Sequence, residues 1–98
     1  MIYHMIKSFA DKATQKLYEG GDPKDFRAFK AQAERKLQML DSASQRDFLR
    51  TPPGNRLEKL TGSREGQYSI RINKQYRICF CWTDDQPNPT DVEITDYH

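Results

Sequence analysis

Tyr68, Ile70 and Ile72 alternate with Ser69, Arg71 and Asn73. After Lys74-Gln75 the alternation resumes, with Tyr76, Ile78, Phe80 and Trp82 set against Arg77, Cys79 and Cys81. A period of two sends successive side chains to opposite faces of an extended chain, so this stretch reads as two strands joined by a tight turn. One face of the hairpin is apolar and the other polar. A lone two-stranded hairpin is marginal in water, so the remaining sequence must cover the apolar face. Val92 and Ile94 alternate again in a last strand, after a turn over residues 84–89. Upstream, residues 10–19 favour helix, with Ala13 and Leu17 on one face and Gly20-Gly21 ending it. Asp22-Pro23 then reads as a cap followed by proline at the first helical position. Phe26, Phe29, Ala33, Leu37 and Leu40 follow at spacings of three and four. The prediction is an α+β fold: two N-terminal helices packed on one face of a small, twisted, mostly antiparallel sheet. Thr51-Pro52-Pro53-Gly54-Asn55 reads as the loop between the helical half and the strands.

A chain of 98 residues supports one core, and no linker, repeat or low-complexity segment divides it, so residues 1–98 read as a single domain. With 36% of residues hydrophobic and 31% charged, that core is thin and the surface polar. No run approaches the roughly 18 apolar residues of a membrane span. Residues 1–5 lack the basic stretch and long apolar run of an export signal. The expectation is a cytoplasmic protein whose recognisable domain begins at Met5, with residues 1–4 as an extension. Cys79 and Cys81 lie two apart in one strand, where their Cβ atoms are too distant for a disulfide, so both thiols are expected free. Zinc would need further ligands, and the two histidines, His4 and His98, stand at opposite ends of the chain. Neither a metal nor an organic cofactor is expected, and no spaced glycine motif suggests a phosphate cradle.

Charge is unevenly spread. Residues 50–77 carry seven basic side chains (Arg50, Arg56, Lys59, Arg64, Arg71, Lys74, Arg77) against Glu58 and Glu65. From Asp84 onward there are five acids and no lysine or arginine. A basic block in a nearly neutral chain is the footprint of a face that binds a polyanion. Strand alternation puts Ser69, Arg71, Asn73, Arg77, Cys79 and Cys81 on the face away from the helices. Periodicity alone fits equally well with Arg71 and Arg77 as exposed sheet residues paired with Glu93 or Asp96. Tyr68, Tyr76 and Trp82 fall in register with the apolar positions and read as core. Lys24, Arg27, Lys30 and Arg35 mark the outer face of the second helix, turned to solvent or a partner.

Several segments together carry a family likeness: Met5-Ile6-Lys7-Ser8-Phe9, Pro52-Pro53-Gly54-Asn55-Arg56-Leu57-Glu58, Gln67-Tyr68-Ser69-Ile70-Arg71-Ile72-Asn73, Tyr76-Arg77-Ile78-Cys79-Phe80 and Asp96-Tyr97-His98. In this order and spacing, from Met5 to His98, the chain resembles a HigB-type toxin of the RelE superfamily of type II toxin-antitoxin modules. The resemblance implies a RelE-like fold and a ribosome-dependent endoribonuclease that cuts messenger RNA in the decoding site. It also implies the 70S ribosome and a HigA-like antitoxin as partners, the latter acting by covering the basic face or by bulk.

In the implied chemistry a ribose 2′-hydroxyl attacks the neighbouring phosphorus, which calls for a base, anion stabilisation and an acid for the leaving 5′-oxygen. Carried over from the resemblance, His98 is the proton-transfer group, Asp96 orients or charges it, and Tyr97 holds the 2′-hydroxyl or stacks on a base. Arg77 and Arg71 would neutralise the transition state, a task that suits a planar guanidinium. Arg64, Lys59 and Arg56 would bind flanking phosphates or ribosomal RNA. Some relatives carry a histidine where this chain has Glu58 and a lysine where it has Thr61; with both absent, Glu58 is one candidate for the base, and a solvated carboxylate beside Lys59 is the other reading. The rival reading is a module that binds RNA or the ribosome without cutting and inhibits translation by occupancy.

Overall fold

The structure is a computed structural model that describes residues 5–85 and 87–96. Helix α1 spans Lys12–Tyr18, and its start is set by Asp11, whose carboxylate accepts the Thr14 N–H at 3.2 Å. Its end follows from the two glycines. Gly20, at φ +96°, donates to the Leu17 carbonyl, and Gly21 donates to that of Lys16, which is the Schellman arrangement. A Cβ on Gly21 would lie 2.9 Å from the Lys16 carbonyl oxygen, so the close approach requires glycine there as well.

The second helical segment departs from a single helix beginning at Pro23. Residues Lys24–Phe29 form a 3-10 helix, and α2 proper runs over Lys30–Ser42. Three residues per turn align positions three apart, so the tighter winding sends both Phe26 and Phe29 into the core, their rings 5.8 Å apart. Nor does Asp22 cap this segment. Its carboxylate instead pairs with Arg27 at 3.0 Å and Lys30 at 3.7 Å. Ala33, Leu37 and Leu40 continue the buried stripe as the spacing requires. Two more 3-10 turns follow, Arg46–Arg50 and Pro53–Asn55, separated by a cis peptide between Thr51 and Pro52; the stretch expected to be irregular loop is partly helical.

Four strands, β1 (Glu58–Lys59), β2 (Gln67–Arg71), β3 (Arg77–Cys81) and β4 (Thr90–Thr95), form an antiparallel sheet in that order. The β2–β3 turn is set by Asn73, whose side-chain oxygen accepts the N–H groups of Gln75 and Tyr76. Residues 8–10 add a short parallel contact along the outer edge of β4, centred on Phe9 and Val92. Beyond it, the Thr14 hydroxyl accepts the Ile94 N–H at 2.9 Å, so α1 satisfies a strand donor that would otherwise be orphaned. Between Cys79 and Cys81 the register of β4 shifts by one residue, with Asp91 at φ +51°.

Ile70, Ile78, Phe80, Trp82, Val92 and Ile94 pack against Leu17, Phe26, Phe29, Ala33, Leu37, Leu40 and Leu49 in one cluster. Tyr76 stacks on Phe29 with ring centroids 4.4 Å apart, and Tyr68 stacks on Phe80, so both tyrosines belong to the core side. Full burial of a side chain such as Phe80 contributes about 1.5–3 kcal/mol, which makes this helix-covered layer the main source of stability.

Candidate functional site

Strand register assembles the face opposite the helices in rows. Arg71 lies opposite Arg77, and Arg77 opposite Thr95, across three strands. The next row runs Glu58, Ser69, Cys79, Glu93 across all four. Alternation therefore places both arginines on one face, as the sequence pattern requires. That face is not bare, however. Ser69 is 0% and Cys79 1% exposed, because long charged side chains lie over them. Arg64 bridges to Glu93 and to Gln67, each at 3.1 Å. The partner of Glu93 is thus Arg64, rather than Arg71 or Arg77 as an ordinary sheet pairing would have it.

Arg77 is tightly held on this face. Its side chain is 15% exposed; Nε donates to the Ser69 hydroxyl at 2.8 Å and Nη2 to the Arg56 carbonyl at 2.6 Å. The Glu58 carboxylate stands 3.9 Å from Nη2 and is half exposed, so this ion pair is loose and adds little stability. Among the described residues Nη1 of Arg77 makes no hydrogen bond, which leaves one edge of a fixed guanidinium available. Arg71 is anchored at Nε by the Asn73 carbonyl at 3.0 Å, and its two terminal nitrogens carry no bond among the described residues. Two guanidiniums, each held through Nε with donors to spare, suit an anion with several oxygens.

The other expected site residues are distributed less uniformly. Arg56 is exposed and adopts the left-handed conformation, φ 46° and ψ 58°, with its carbonyl turned toward Arg77. Lys59 pairs in register with Tyr68, so alternation puts it on the helix side of the edge strand, away from the Arg77 row. Asp96 accepts from the Gln75 side chain at 2.9 Å, directly after Thr95 in the Arg77 row. Tyr97 and His98 lie outside the described residues, as do residues 1–4. Both cysteines are free; burial pushes the Cys79 thiol up to about 11, and burial followed by the Asp91 carboxylate raises that of Cys81. Among the described residues no three His, Cys, Asp or Glu side chains gather into a metal-binding group.

Two residues of this arrangement were not singled out from the sequence. Ser69 looks like any polar position in an alternating strand, yet it is the acceptor that orients Arg77. Asn55 looks like a loop residue, yet it is fully buried. Asparagine beside proline and glycine is the ordinary composition of a turn, so no local signal separates the two cases.

The family model for the RelE-like toxin of the type II toxin-antitoxin system HigB matches residues 7–98. The chain belongs to this HigB family. Toxin HigB-1 of Vibrio cholerae serotype O1 is 45% identical over 84 residues, covering 82% of this chain and 86% of that protein. An uncharacterized protein of Haemophilus influenzae is 41% identical over 54 residues, covering 55% of this chain and 54% of its own length. The solved YoeB-YefM complex from Staphylococcus aureus has a similar fold, with a TM-score of 0.55 at 19% identity over 95% of this chain and 97% of that one. The HigB-family assignment makes the protein the toxin of a type II toxin-antitoxin pair; the α+β architecture is the one expected from the helical and strand periodicities, and its RelE-like form is the one the resemblance implies. Among the described residues, no helix is long and apolar enough to cross a membrane.

Proposed function

We propose that this toxin is a ribosome-dependent endoribonuclease that cuts messenger RNA during translation. The observation that carries the reading is the Arg71–Arg77–Thr95 row, with Glu58 3.9 Å from the Arg77 guanidinium. The 2′-oxygen forms a bond to phosphorus while the bond from phosphorus to the 5′-oxygen breaks. One proton leaves the 2′-hydroxyl and another reaches the 5′-oxygen, giving a 2′,3′-cyclic phosphate and a 5′-hydroxyl. Glu58 accepts the first proton, and the neighbouring guanidinium stabilises the charge on phosphorus as it develops. Arg77 offers Nη1, and Arg71 its terminal pair, to the non-bridging oxygens. His98 donates the second proton, Asp96 orients it, and Tyr97 positions the attacking nucleotide. Arg56 and Arg64 grip flanking phosphates, for Arg64 by sharing or leaving Glu93, while Lys59, on the other side of the edge strand, meets ribosomal RNA. The partners are the 70S ribosome with its message and a HigA-like antitoxin.

The test is to incubate the protein with translating ribosomes and a defined message and to map the ends. Internal cuts with 5′-hydroxyl and 2′,3′-cyclic phosphate termini support the enzyme. Stalled but intact message overturns it in favour of inhibition by occupancy. His98→Ala should abolish cutting and leave ribosome association intact. Arg77→Ala should lower the cleavage rate about 100-fold or more, the scale of losing one preorganised donor to a developing anion. Unchanged cutting in Glu58→Ala would remove Glu58 as the base.

A further inference from the structure

The loop that leads from the helices to the sheet is organised around one buried amide. Asn55 is 0% exposed and ends the Pro53–Asn55 turn. Its Nδ2 donates to the Leu49 carbonyl at 3.1 Å and to the Thr51 carbonyl at 3.4 Å, with the Met39 sulfur 2.9 Å away. Its backbone N–H donates to the Pro52 carbonyl at 2.9 Å. The side-chain oxygen accepts from the Lys36 ammonium of α2. A buried amide satisfied on both ends fixes one path for the chain around it, because any other path strands a polar group.

Lys36 is half-buried, and among the described residues it forms no ion pair, its cation being directed at the amide oxygen. Burial, followed by the charge of Arg35, lowers its pKa. Immediately after Asn55 comes Arg56, in a left-handed conformation that a residue with a Cβ keeps when its surroundings impose it. That conformation aims the Arg56 carbonyl at Arg77 Nη2, 2.6 Å away. The bonds thus run without a gap from α2 through Lys36, Asn55 and the Arg56 backbone to the Arg77 guanidinium.

We infer that Asn55, held by Lys36, is a positioning residue for Arg77: it sets the Arg56 carbonyl that, with Ser69, fixes the direction of the guanidinium. The inference rests on the reading of Arg77 as the group that meets the scissile phosphate. Asn55 and Lys36 touch no substrate in this scheme. They act by holding the Arg77 guanidinium at one angle before RNA arrives.

The experiment uses the full chain and two readouts. One is hydrogen exchange at the Arg77 Nε–H by NMR, assigned through its absence in Arg77→Ala; the other is kcat and KM for ribosome-bound message. Lys36→Met should lower kcat about tenfold with KM within about twofold, the mark of a misplaced group rather than lost binding. It should also speed Arg77 Nε–H exchange about tenfold, because a guanidinium no longer held at Nη2 by the Arg56 carbonyl turns more freely and its Nε bond to the Ser69 hydroxyl opens more often. Lys36→Gln, which retains a donor for the amide oxygen, should restore both. Asn55→Ala should match or exceed Lys36→Met; if it does not fold, the Lys36 pair decides. In an Arg77→Ala background Lys36→Met should cost nothing further, and a multiplicative loss there overturns the inference. Unchanged Arg77 Nε–H exchange in Lys36→Met overturns it too. If the unmodified protein cuts no message, the nuclease reading fails, while the exchange measurement still decides the positioning claim.

Discussion

Replacing Asp41 by alanine should cost this protein a fifth or more of its folding stability. Asp41 closes α2 and is 8% exposed. Its Oδ1 accepts the N–H groups of Met5 and Ile6, each at 3.0 Å, and its Oδ2 accepts the Tyr18 hydroxyl at 2.9 Å. One carboxylate therefore fastens residues 5–6, α1 and α2 together. A hydrogen bond to a charged group contributes about 1.5–3 kcal/mol. The Met5 N–H also donates to the Asp41 backbone carbonyl at 3.1 Å and keeps that partner, so the loss falls on Ile6 and Tyr18. The sum is about 3–6 kcal/mol, against a total of about 5–15 kcal/mol for a chain of this length. Urea denaturation followed by tryptophan fluorescence measures it, compared at equal m-value. A loss below about 1 kcal/mol, with m unchanged, would refute the reasoning. Tyr18 gives a second check. Burial first, and the bond to Asp41 second, push its phenol up to about 12. A folded-state pKa raised above the usual 10 means that the contribution is complete below pH 10 and disappears as pH rises toward 12. In Asp41→Asn the Tyr18 ring-carbon resonance should titrate at lower pH, and that part of the alkaline loss of stability should shrink.

The two thiols and the Arg77 anchor supply further tests. A thiol reagent at pH 8 should modify Cys81 slowly and leave Cys79 untouched until the protein unfolds, since burial holds the Cys79 thiol near 11. Because that pKa is raised, the stability Cys79 contributes is lost as pH climbs from 9 through 11; Arg64→Ala, which removes part of its cover, should make the thiol accessible in the folded protein, as mass spectrometry would register. Ser69→Ala should cost about 1–2 kcal/mol in the same urea assay, the scale of an acceptor lost by a largely buried guanidinium, and a neutral result would mean that Ser69 does not hold Arg77.

The period-two pattern from Tyr68 to Trp82 was sufficient to lay out β2 and β3, because a half-buried strand has no other way to satisfy both faces. The stripe from Phe26 to Leu40 identified the covering layer but not its winding. Residues three apart fit a 3-10 helix and an α-helix alike, so the spacing of Phe26 and Phe29 does not distinguish the winding found at Lys24–Phe29. The same limit governs the site. Alternation located Arg71 and Arg77 on one face, whereas Lys59 depends on the pairing register of a two-residue strand that composition does not specify. The Arg64–Glu93 bridge joins positions 29 residues apart, and the role of Asn55 arises from a helix 19 residues upstream. Such contacts are products of tertiary closure and leave no periodic trace in the chain.

The two margins of the sheet are finished differently, and both discourage self-association. On one side the outermost strand is two residues long and presents Glu58 and Lys59, too brief and too charged to template a neighbouring copy. On the other, residues 8–10 and the Thr14 hydroxyl already occupy the backbone groups of β4 that a second molecule would seek. A small protein with a modest apolar interior thereby offers, among its described residues, no long unpaired strand edge on which fibrillar stacking could start.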